Sequence, residues 1–492
     1  MADLSGPGPE EISLDPEDWE SFSRLAHQAL DDAVATLREV RERPVWQPVP
    51  PEAKAELDQP VPREPTDLSQ VYEQFRRAIL PYPTGNTHPR FWGWVMGTGT
   101  AEAVVADMLA SAMNPHVGGY DQSASLVEHQ VVRWLTELMG YPPGAGGVLV
   151  NGATVANLTG LAVARFAKAG FDVRAEGLAG RRPMRVYGSR ETHSWAERSC
   201  ELLGLGRQGF RRVAADALGR VEVSALRAAI REDREAGLQP IAVVGNAGTV
   251  DTGAIDDLAA LADLCAEEGL WFHVDGAFGA LAALSPNLSP ALAGLGRSDS
   301  LAFDLHKWGY LPYEVGALLV RDRAVQRSAF ANTAPYLAPL GAGILPRELE
   351  LSDLGIQLSR GFRALKVWMA LKTHGVECLG RVIEQNVEQA RYLASRVAAE
   401  PALELLVPAT LNVVCFRYRG AETDEGRLDA ANREVLVRLQ QEGVAVPSST
   451  LREGRFALRL AITNHRTRRS DLDLLLEAVL RFGAESLERL RA

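Results

Sequence analysis

The chain has 492 residues, of which 46% are hydrophobic and 23% are charged. These proportions are ordinary for a folded soluble protein, and the length is sufficient for two or three domains. The formal net charge of -11 argues against a nucleic acid or an anionic membrane as partner, because either would require a basic surface.

The cysteines, histidines and N-terminal residues indicate a cytoplasmic protein without a metal centre. The four cysteines are far apart and include no C-x-x-C pair, which argues against a zinc site or a disulfide framework. The histidines are scattered and include no H-E-x-x-H pattern, so we predict no metal. Residues 1–20 carry no Lys or Arg, unlike the basic start of a signal peptide, and no apolar stretch reaches the roughly 18 residues of a membrane helix.

The N-terminal segment, residues 1–86, is predicted to contain an amphipathic helix and an extended arm. An Asp-Pro pair at 15–16 is typical of a helix start, and apolar residues over 19–40 then recur at helical spacing. Seven of the 27 prolines lie within 44–65, which predicts extended backbone there without a helix or a central strand. Either a partner or the rest of the same chain could cover the apolar face of the helix.

Residues 87–380 are predicted to form a large α/β domain. Helical stretches alternate with short apolar runs, which predicts a mainly parallel sheet covered by helices. The apolar runs lie at residues 184–187, 241–244, 271–274, 300–303 and 316–320. In such sheets ligands bind beyond the carboxyl ends of the strands, where Asn246, Asp275 and the group 304–307 are expected.

Residues 381–492 are predicted to form a separate small α+β domain. The pattern there changes to helix, two strand-like runs, helix, two further runs and a final helix. The four runs lie at residues 405–407, 412–417, 444–446 and 456–462.

Two charged residues, Asp275 and Lys307, each follow an apolar strand and together point to a cofactor. A lysine can hold an aldehyde carbon as a Schiff base, and a carboxylate facing a pyridine nitrogen keeps that nitrogen protonated. This pair therefore indicates pyridoxal 5'-phosphate (PLP) and chemistry on amino acids. The alternative is an ordinary helix cap and a solvated lysine.

A phosphate site is predicted at residues 152–154, where Gly-Ala-Thr precedes an apolar helical run. The backbone N–H groups at a helix N-terminus and the Thr154 hydroxyl are suited to a phosphate. Taken alone the pattern is weak, because glycine followed by a cap residue begins many helices.

The segment Asp-Leu-His-Lys-Trp at residues 304–308 resembles the lysine signature of the group II PLP-dependent decarboxylases, which include aromatic L-amino acid, histidine and glutamate decarboxylases. Similar segments follow in the order of that family through most of residues 15–480. They are THPRFWG at 87–93, NGAT at 151–154, THS at 192–194, NAGT at 246–249 and GFRALKVW at 361–368.

The resemblance implies a homodimer of fold-type I (aspartate aminotransferase-like), with residues 1–86 packed on the partner subunit. It implies a PLP enzyme that converts an L-amino acid to the amine and carbon dioxide. Lys307 is then the Schiff-base lysine, Asp275 contacts the pyridine nitrogen, and His193 stacks above the ring. The other expected cofactor-binding residues are Ala153, Thr154, Asn246, Ala277 and His306.

Two further residues carry expectations that depend on the resemblance. Tyr336 lies in an irregular segment, 329–345, and is expected to be the lid tyrosine that protonates the carbon left by carbon dioxide; a tyrosine buried in a hairpin is the alternative. Asp304 departs from animal aromatic decarboxylases, which carry Asn there. Because an aspartate repels a phosphate dianion, we do not expect Asp304 among the phosphate ligands.

The substrate and the exact outcome of the reaction stay open at this point. An aromatic or large aliphatic substrate would suit an apolar wall, unless the residues that compose it lie in the core. These residues are Phe91, Trp92, Trp94, Val95 and Met96. Rival functions are an aldehyde synthase, an aminotransferase or lyase on the same fold, and a catalytically inactive binding subunit.

Overall fold

A computed structural model of the chain describes residues 12–332, 341–345 and 350–491. Among these residues no helix is both long and apolar enough to cross a bilayer. The described chain divides into two compact units. One comprises the residues up to Arg43 together with Val49–Pro83, and the other comprises Pro44–Pro48 and the residues from Thr84 onward.

The first unit is helical, with α1 (Trp19–Arg38), α2 (Pro51–Leu57) and α3 (Leu68–Gln74), which continues into one π turn at Phe75–Ile79. Helix α1 begins three residues later than predicted. Its N-cap is Asp18, whose carboxylate accepts hydrogen bonds of 3.0 Å from two backbone N–H groups of the first turn.

The prediction of a fully extended proline-rich arm is wrong, because α2 lies within it. Pro51 occupies the first position of this helix, where the missing N–H group has no partner to lose and the fixed φ angle suits a helix. Residues 52–59 contain no further proline, so the backbone is free to continue the turn. The number of prolines in 44–65 predicted an extended arm, but their spacing leaves room for one short helix.

The second unit contains, within the described residues, a seven-stranded sheet in the order β1-β7-β6-β5-β4-β2-β3. Strand β7 runs antiparallel to both neighbours, and the other pairs are parallel. The strands are β1 (Gly146–Val150), β2 (Met184–Ser189), β3 (Phe210–Val213), β4 (Gln239–Asn246), β5 (Trp271–Asp275), β6 (Ser300–Asp304) and β7 (Gly316–Val320). The predicted mainly parallel sheet is confirmed, and its five predicted strands are present.

Helices cover this sheet and enclose an apolar core. They are α4 (Ala101–Met113), α5 (Ser123–Leu138), α6 (Ala153–Lys168), α7 (Val173–Glu176), α8 (Trp195–Leu202), α9 (Val223–Glu235), α10 (Leu258–Glu268), α11 (Arg323–Phe330) and α12 (Ala364–Ala399). Helix α6 follows β1 directly and packs on β4, β5, β6 and β7. Its N-terminus therefore lies at the carboxyl edge of the sheet.

A second, antiparallel sheet follows α12, which is interrupted at Gly375 (φ 71°, ψ 157°). Its described strands lie in the order β10-β11-β9-β8 and have an apolar core of their own. They are β8 (Leu403–Leu405), β9 (Val413–Tyr418), β10 (Ser448–Arg452) and β11 (Arg455–Ala461), accompanied by α13 (Glu425–Gln441) and α14 (Arg469–Arg491). The boundary between a large and a small domain at residue 380 stays a prediction.

The strand predicted at residues 444–446 is wrong. Val446 forms only an isolated bridge with Phe91, and the strand lies instead at Ser448–Arg452. Pro447 separates the two and has no N–H group to donate to a sheet, so the ladder begins after it.

Candidate active site

Three polar residues end adjacent strands of the large sheet. Asn246, Asp275 and Asp304 are the last residues of β4, β5 and β6, rather than lying just beyond the strands as expected. Asn246 pairs in register with Asp275. Because these strands are parallel, the three side chains share the carboxyl edge, where α/β proteins bind ligands.

The carboxylate of Asp275 is buried and fixed by two neutral donors. Its Oδ1 accepts the Ala277 N–H at 3.0 Å, and its Oδ2 accepts the indole N–H of Trp195. The side chain is therefore held in one orientation at the end of β5. A carboxylate so fixed is preorganised to face a protonated ring nitrogen.

Trp195 was missed in the sequence, although it lies only two residues after His193. Its buried indole packs edge-on against His273, with ring centroids 5.7 Å apart. The His273 ring nitrogens lie 2.7 Å from Ser300 Oγ and from Asn157 Oδ1. Burial lowers the pKa of His273 to about 3, so the imidazole is neutral. The neutral His273 ring therefore packs against the Trp195 indole and helps to fix its position.

His193 precedes α8 and lies near both charged groups of the expected site. Its Nδ1 accepts the Trp195 backbone N–H at 3.2 Å, which fixes the start of the helix. Desolvation lowers the pKa of His193, while the charge of Asp275 raises it and that of Lys307 lowers it. The imidazole is consequently neutral at pH 7, and its exposed position leaves it accessible to a ligand.

Lys307 and the predicted phosphate site at residues 152–154, called the phosphate turn below, both contact one carboxylate. The Lys307 ammonium lies 2.8 Å from Asp304 Oδ2, and Asp304 Oδ1 accepts the Ala153 N–H at 2.6 Å. Asp304 is only 2% exposed. The structure thus brings together the expected lysine and the start of α6 through a residue that sequence reasoning excluded from the phosphate ligands.

His306 also lies beside the Asp304 carboxylate. Its Nε2 is 3.7 Å from Asp304 Oδ2, and its Nδ1 lies 3.0 Å from the Val315 carbonyl oxygen and 3.2 Å from the Val315 nitrogen. Desolvation lowers the pKa of His306, so it contributes a neutral ring beside the phosphate turn.

The residues around the turn fit the phosphate end of PLP. Gly152 has a φ of 154°, and a Cβ on Gly316 would come within 2.7 Å of the Gly152 Cα, so both positions require glycine. The buried Asn151 Oδ1 has no hydrogen-bond partner in the described structure, and Thr154 is exposed. A helix N-terminus and a hydroxyl form a donor set suited to a phosphate.

Asn246 is positioned as a support of the site. Its Nδ2 donates to Asp256 Oδ2 at 2.9 Å and to Thr192 Oγ1 at 3.2 Å. These bonds connect the end of β4 with the loop that carries His193. Whether Asn246 also touches the cofactor stays a prediction.

Two other expectations have different outcomes. Tyr336 lies outside the described residues. The proposed apolar wall lies largely in the core: Phe91 and Trp92 are 3% and 1% exposed, and Val95 is also buried. The Trp92 indole donates to Thr467 Oγ1 at 3.1 Å. Of this group, Trp94 is the exposed member, at 53%.

The pyridoxal-dependent decarboxylase conserved domain matches residues 50–419. The chain is 33% identical to the aromatic-L-amino-acid decarboxylase of Bacillus atrophaeus, over 91% of this chain and 92% of that protein. It is 32% identical to the L-2,4-diaminobutyrate decarboxylase of Rhizobium meliloti (strain 1021), over 85% and 83%. The crystal structure of Oryza sativa TDC with PLP and tryptamine superposes with a TM-score of 0.88 at 27% identity, covering 96% of this chain and all of that one.

Proposed function

Because the chain belongs to the pyridoxal-dependent decarboxylase family and is a PLP-dependent carboxy-lyase of fold-type I, we propose that it converts an aromatic L-amino acid to its amine. The observation that carries the proposal is the meeting of Lys307, Asp275 and His193 at one edge of the sheet. The similarity to an aromatic-L-amino-acid decarboxylase over nine-tenths of the chain supports the substrate class.

Each residue of the site has a distinct part in this proposal. PLP, when bound, supplies a ring that accepts the electron pair released with carbon dioxide. Lys307 would supply the amine for the aldehyde of bound PLP. Asp275, held by Trp195 and Ala277, keeps the ring nitrogen protonated.

The remaining residues orient the cofactor and the substrate. Neutral His193 would cover one face of the ring of bound PLP. The N–H groups at the start of α6, the Thr154 hydroxyl and His306 would hold the phosphate. Ala277 leaves room for the ring against the backbone, and Tyr336 delivers a proton to the substrate carbon after carbon dioxide departs.

The proposal includes a homodimer, supported by an exposed apolar face on α4. Val105, Met108, Leu109 and Met113 are 37% to 54% exposed and recur at helical spacing. A second copy of the chain would bury this face, which is unusual on a monomer.

Helix α1 gives the same indication in the first unit. Described by itself it contains no buried residue, and Trp19, Phe22 and Val34 are 60%, 38% and 50% exposed. We propose that residues 1–86 form the dimerisation segment, with 87–380 as the PLP-binding domain and 381–492 as the small domain.

Light scattering on the purified protein tests the dimer. Met108→Glu should shift the mass toward the monomer, because a charge in the buried interface is costly. Leu202→Glu is the matched control, since Leu202 is 67% exposed on a different helix, α8. A wild-type monomer, or equal dissociation of both variants, would contradict this interface.

We also place the enzyme in the cytoplasm. All four cysteines are unpaired, and three of them, Cys200, Cys265 and Cys415, are buried. Unpaired thiols are typical of a reducing compartment. Fractionation of the source cells would test the assignment.

A substrate panel tests the reaction itself. The PLP-loaded enzyme should be assayed with each of the standard amino acids and with dihydroxyphenylalanine, 5-hydroxytryptophan and 2,4-diaminobutyrate. Carbon dioxide, amine, aldehyde and peroxide are measured in each case. We expect amine from the aromatic substrates at the highest kcat/KM. Preference for diaminobutyrate would overturn the substrate class, and aldehyde with peroxide in place of amine would assign an aldehyde synthase.

A further inference from the structure

We propose that Asp304 competes with the cofactor for two groups of the site, the N–H of the phosphate turn that the phosphate needs and the Lys307 amine that the aldehyde needs, and thereby sets how tightly the enzyme retains PLP. This inference rests on the cofactor site proposed above. It concerns a residue that we expected only to be absent from the phosphate ligands.

The geometry places the Asp304 carboxylate where a phosphate needs donors. One oxygen takes the first N–H of α6, from Ala153, at 2.6 Å, and the other takes the Lys307 ammonium at 2.8 Å. The side chain is 3% exposed, so water contributes little to its solvation. Close to the turn, Gly152 and Gly316 pack backbone against backbone, which leaves little room for the carboxylate to move away.

Charge makes this arrangement competitive. A phosphate monoester carries between one and two negative charges at pH 7, since its second pKa is about 6. Two anions that share buried donors repel each other, and each weakens the binding of the other. Asp304 therefore stabilises the cofactor-free site and opposes the phosphate of the loaded one.

The reaction of Lys307 with the aldehyde increases the effect. A lysine ammonium offers three N–H donors, but a nitrogen bonded to the aldehyde carbon keeps at most one after water leaves. Asp304 then keeps at most one N–H donor from Lys307 when the phosphate is in place. Its neutral neighbour His306, 3.7 Å away, adds no positive charge that could compensate.

The competing explanation is that Asp304 only holds the turn. In that case its hydrogen bond to Ala153 shapes the start of α6, and PLP benefits from the preformed turn. The two explanations predict opposite signs for one substitution, Asp304→Asn. Asparagine keeps the shape and an acceptor for the Ala153 N–H, removes the charge and adds a donor for phosphate.

The experiment measures the dissociation constants of PLP and of pyridoxal, which lacks the phosphate, with the cofactor-free enzyme. We expect Asp304→Asn to raise the ratio of pyridoxal Kd to PLP Kd by about tenfold or more. The melting temperature of the cofactor-free variant should fall, because an ion pair is lost. Asp304→Ser, which also removes the charge, serves as the second variant if the first does not fold.

Asp299→Asn is the matched control. Asp299 stands just before β6, at the opposite end of the strand from Asp304, and accepts the Phe272 N–H at 2.7 Å. It should leave the ratio unchanged. A ratio that is unchanged or lower in both Asp304 variants overturns the competition for the phosphate turn. This includes equal tightening of PLP and pyridoxal, which would mean that Asp304 acts on Lys307 alone. If the wild-type protein binds neither compound, the proposed site itself fails.

Discussion

Asp275 and Asp304 end adjacent parallel strands of one sheet, yet their surroundings give them different properties. Two neutral N–H groups hold Asp275, and neither would be displaced by a ring facing its carboxylate. Asp304 is held by one N–H group and by the ammonium of Lys307, both of which are assigned to the cofactor in the proposed site. Position in the fold brings a carboxylate to the site, and in our proposal its hydrogen-bond partners decide whether it supports or opposes the cofactor.

The largest expected effect comes from removing the Lys307 amine, which contacts Asp304 and not Asp275. Lys307→Ala should abolish the borohydride-trappable adduct between protein and cofactor and reduce kcat at least about a thousandfold, because the side-chain amine proposed to bond the aldehyde is lost. Reduction followed by peptide mapping is the measurement. A pyridoxyl group found on another lysine of the wild-type enzyme would show that the whole edge has been misassigned.

Asp275→Asn removes the charge from the supporting carboxylate. We expect kcat to fall more than about a hundredfold, because each 1.36 kcal/mol of lost stabilisation is tenfold in rate. Steady-state kinetics at saturating PLP, with cofactor content checked by absorbance, is the measurement. Near wild-type turnover with the cofactor bound would refute the assigned role, and Asp299→Asn controls for loss of a carboxylate elsewhere in the sheet.

Trp195→Phe tests whether the fixed orientation of Asp275 matters. The ring that packs on His273 is kept and the indole donor is lost, so we expect about a tenfold decrease in kcat, from one hydrogen bond to a charged group. The absorbance spectrum of the bound cofactor and its pH dependence should shift as well, which a purely structural role would not produce.

Trp271→Phe is the matched control for Trp195. Its indole is also buried and donates to Ser300 Oγ at 2.8 Å, on the same network, without reaching Asp275. Equal effects of the two variants on the cofactor spectrum would mean that Trp195 acts only through packing.

Tyr336→Phe is expected to change product ratios more than rates. Without the hydroxyl, protonation of the substrate carbon slows and oxygen competes for it, so aldehyde, ammonia and peroxide should rise relative to amine. Products formed in air and in anaerobic buffer are compared for both proteins. An unchanged amine yield and rate would leave Tyr336 without a catalytic part and make His193 the next candidate.

Local patterns in the sequence located much of the fold and of the site. The continuous apolar runs of β5, β6 and β7 are typical of buried strands and were predicted close to their observed bounds. Strand β3 was missed because it is an edge strand with two arginines in the middle. Strand β1 was missed because it begins with two glycines, which strands ordinarily disfavour.

The long-range contacts of the site could not be predicted from local sequence patterns. Trp195 reaches Asp275 across 80 positions of sequence, and Ala153 reaches Asp304 across 151. Motifs identified the residue types at each strand end. They could not reveal which donors each carboxylate receives, since that depends on how α6 and α8 pack on the sheet.

The buried imidazole of His273 makes the protein sensitive to acid. The unfolded chain takes up a proton on this side chain below its ordinary pKa of about 6.5, whereas the folded chain does not until about pH 3. The unfolded state binds more protons in that interval, so stability decreases as the pH falls, by about 1.36 kcal/mol per unit. Urea unfolding at pH 5 and pH 7 would show the difference. Part of the acid lability thus originates in the group that packs on Trp195, the indole donor that fixes Asp275.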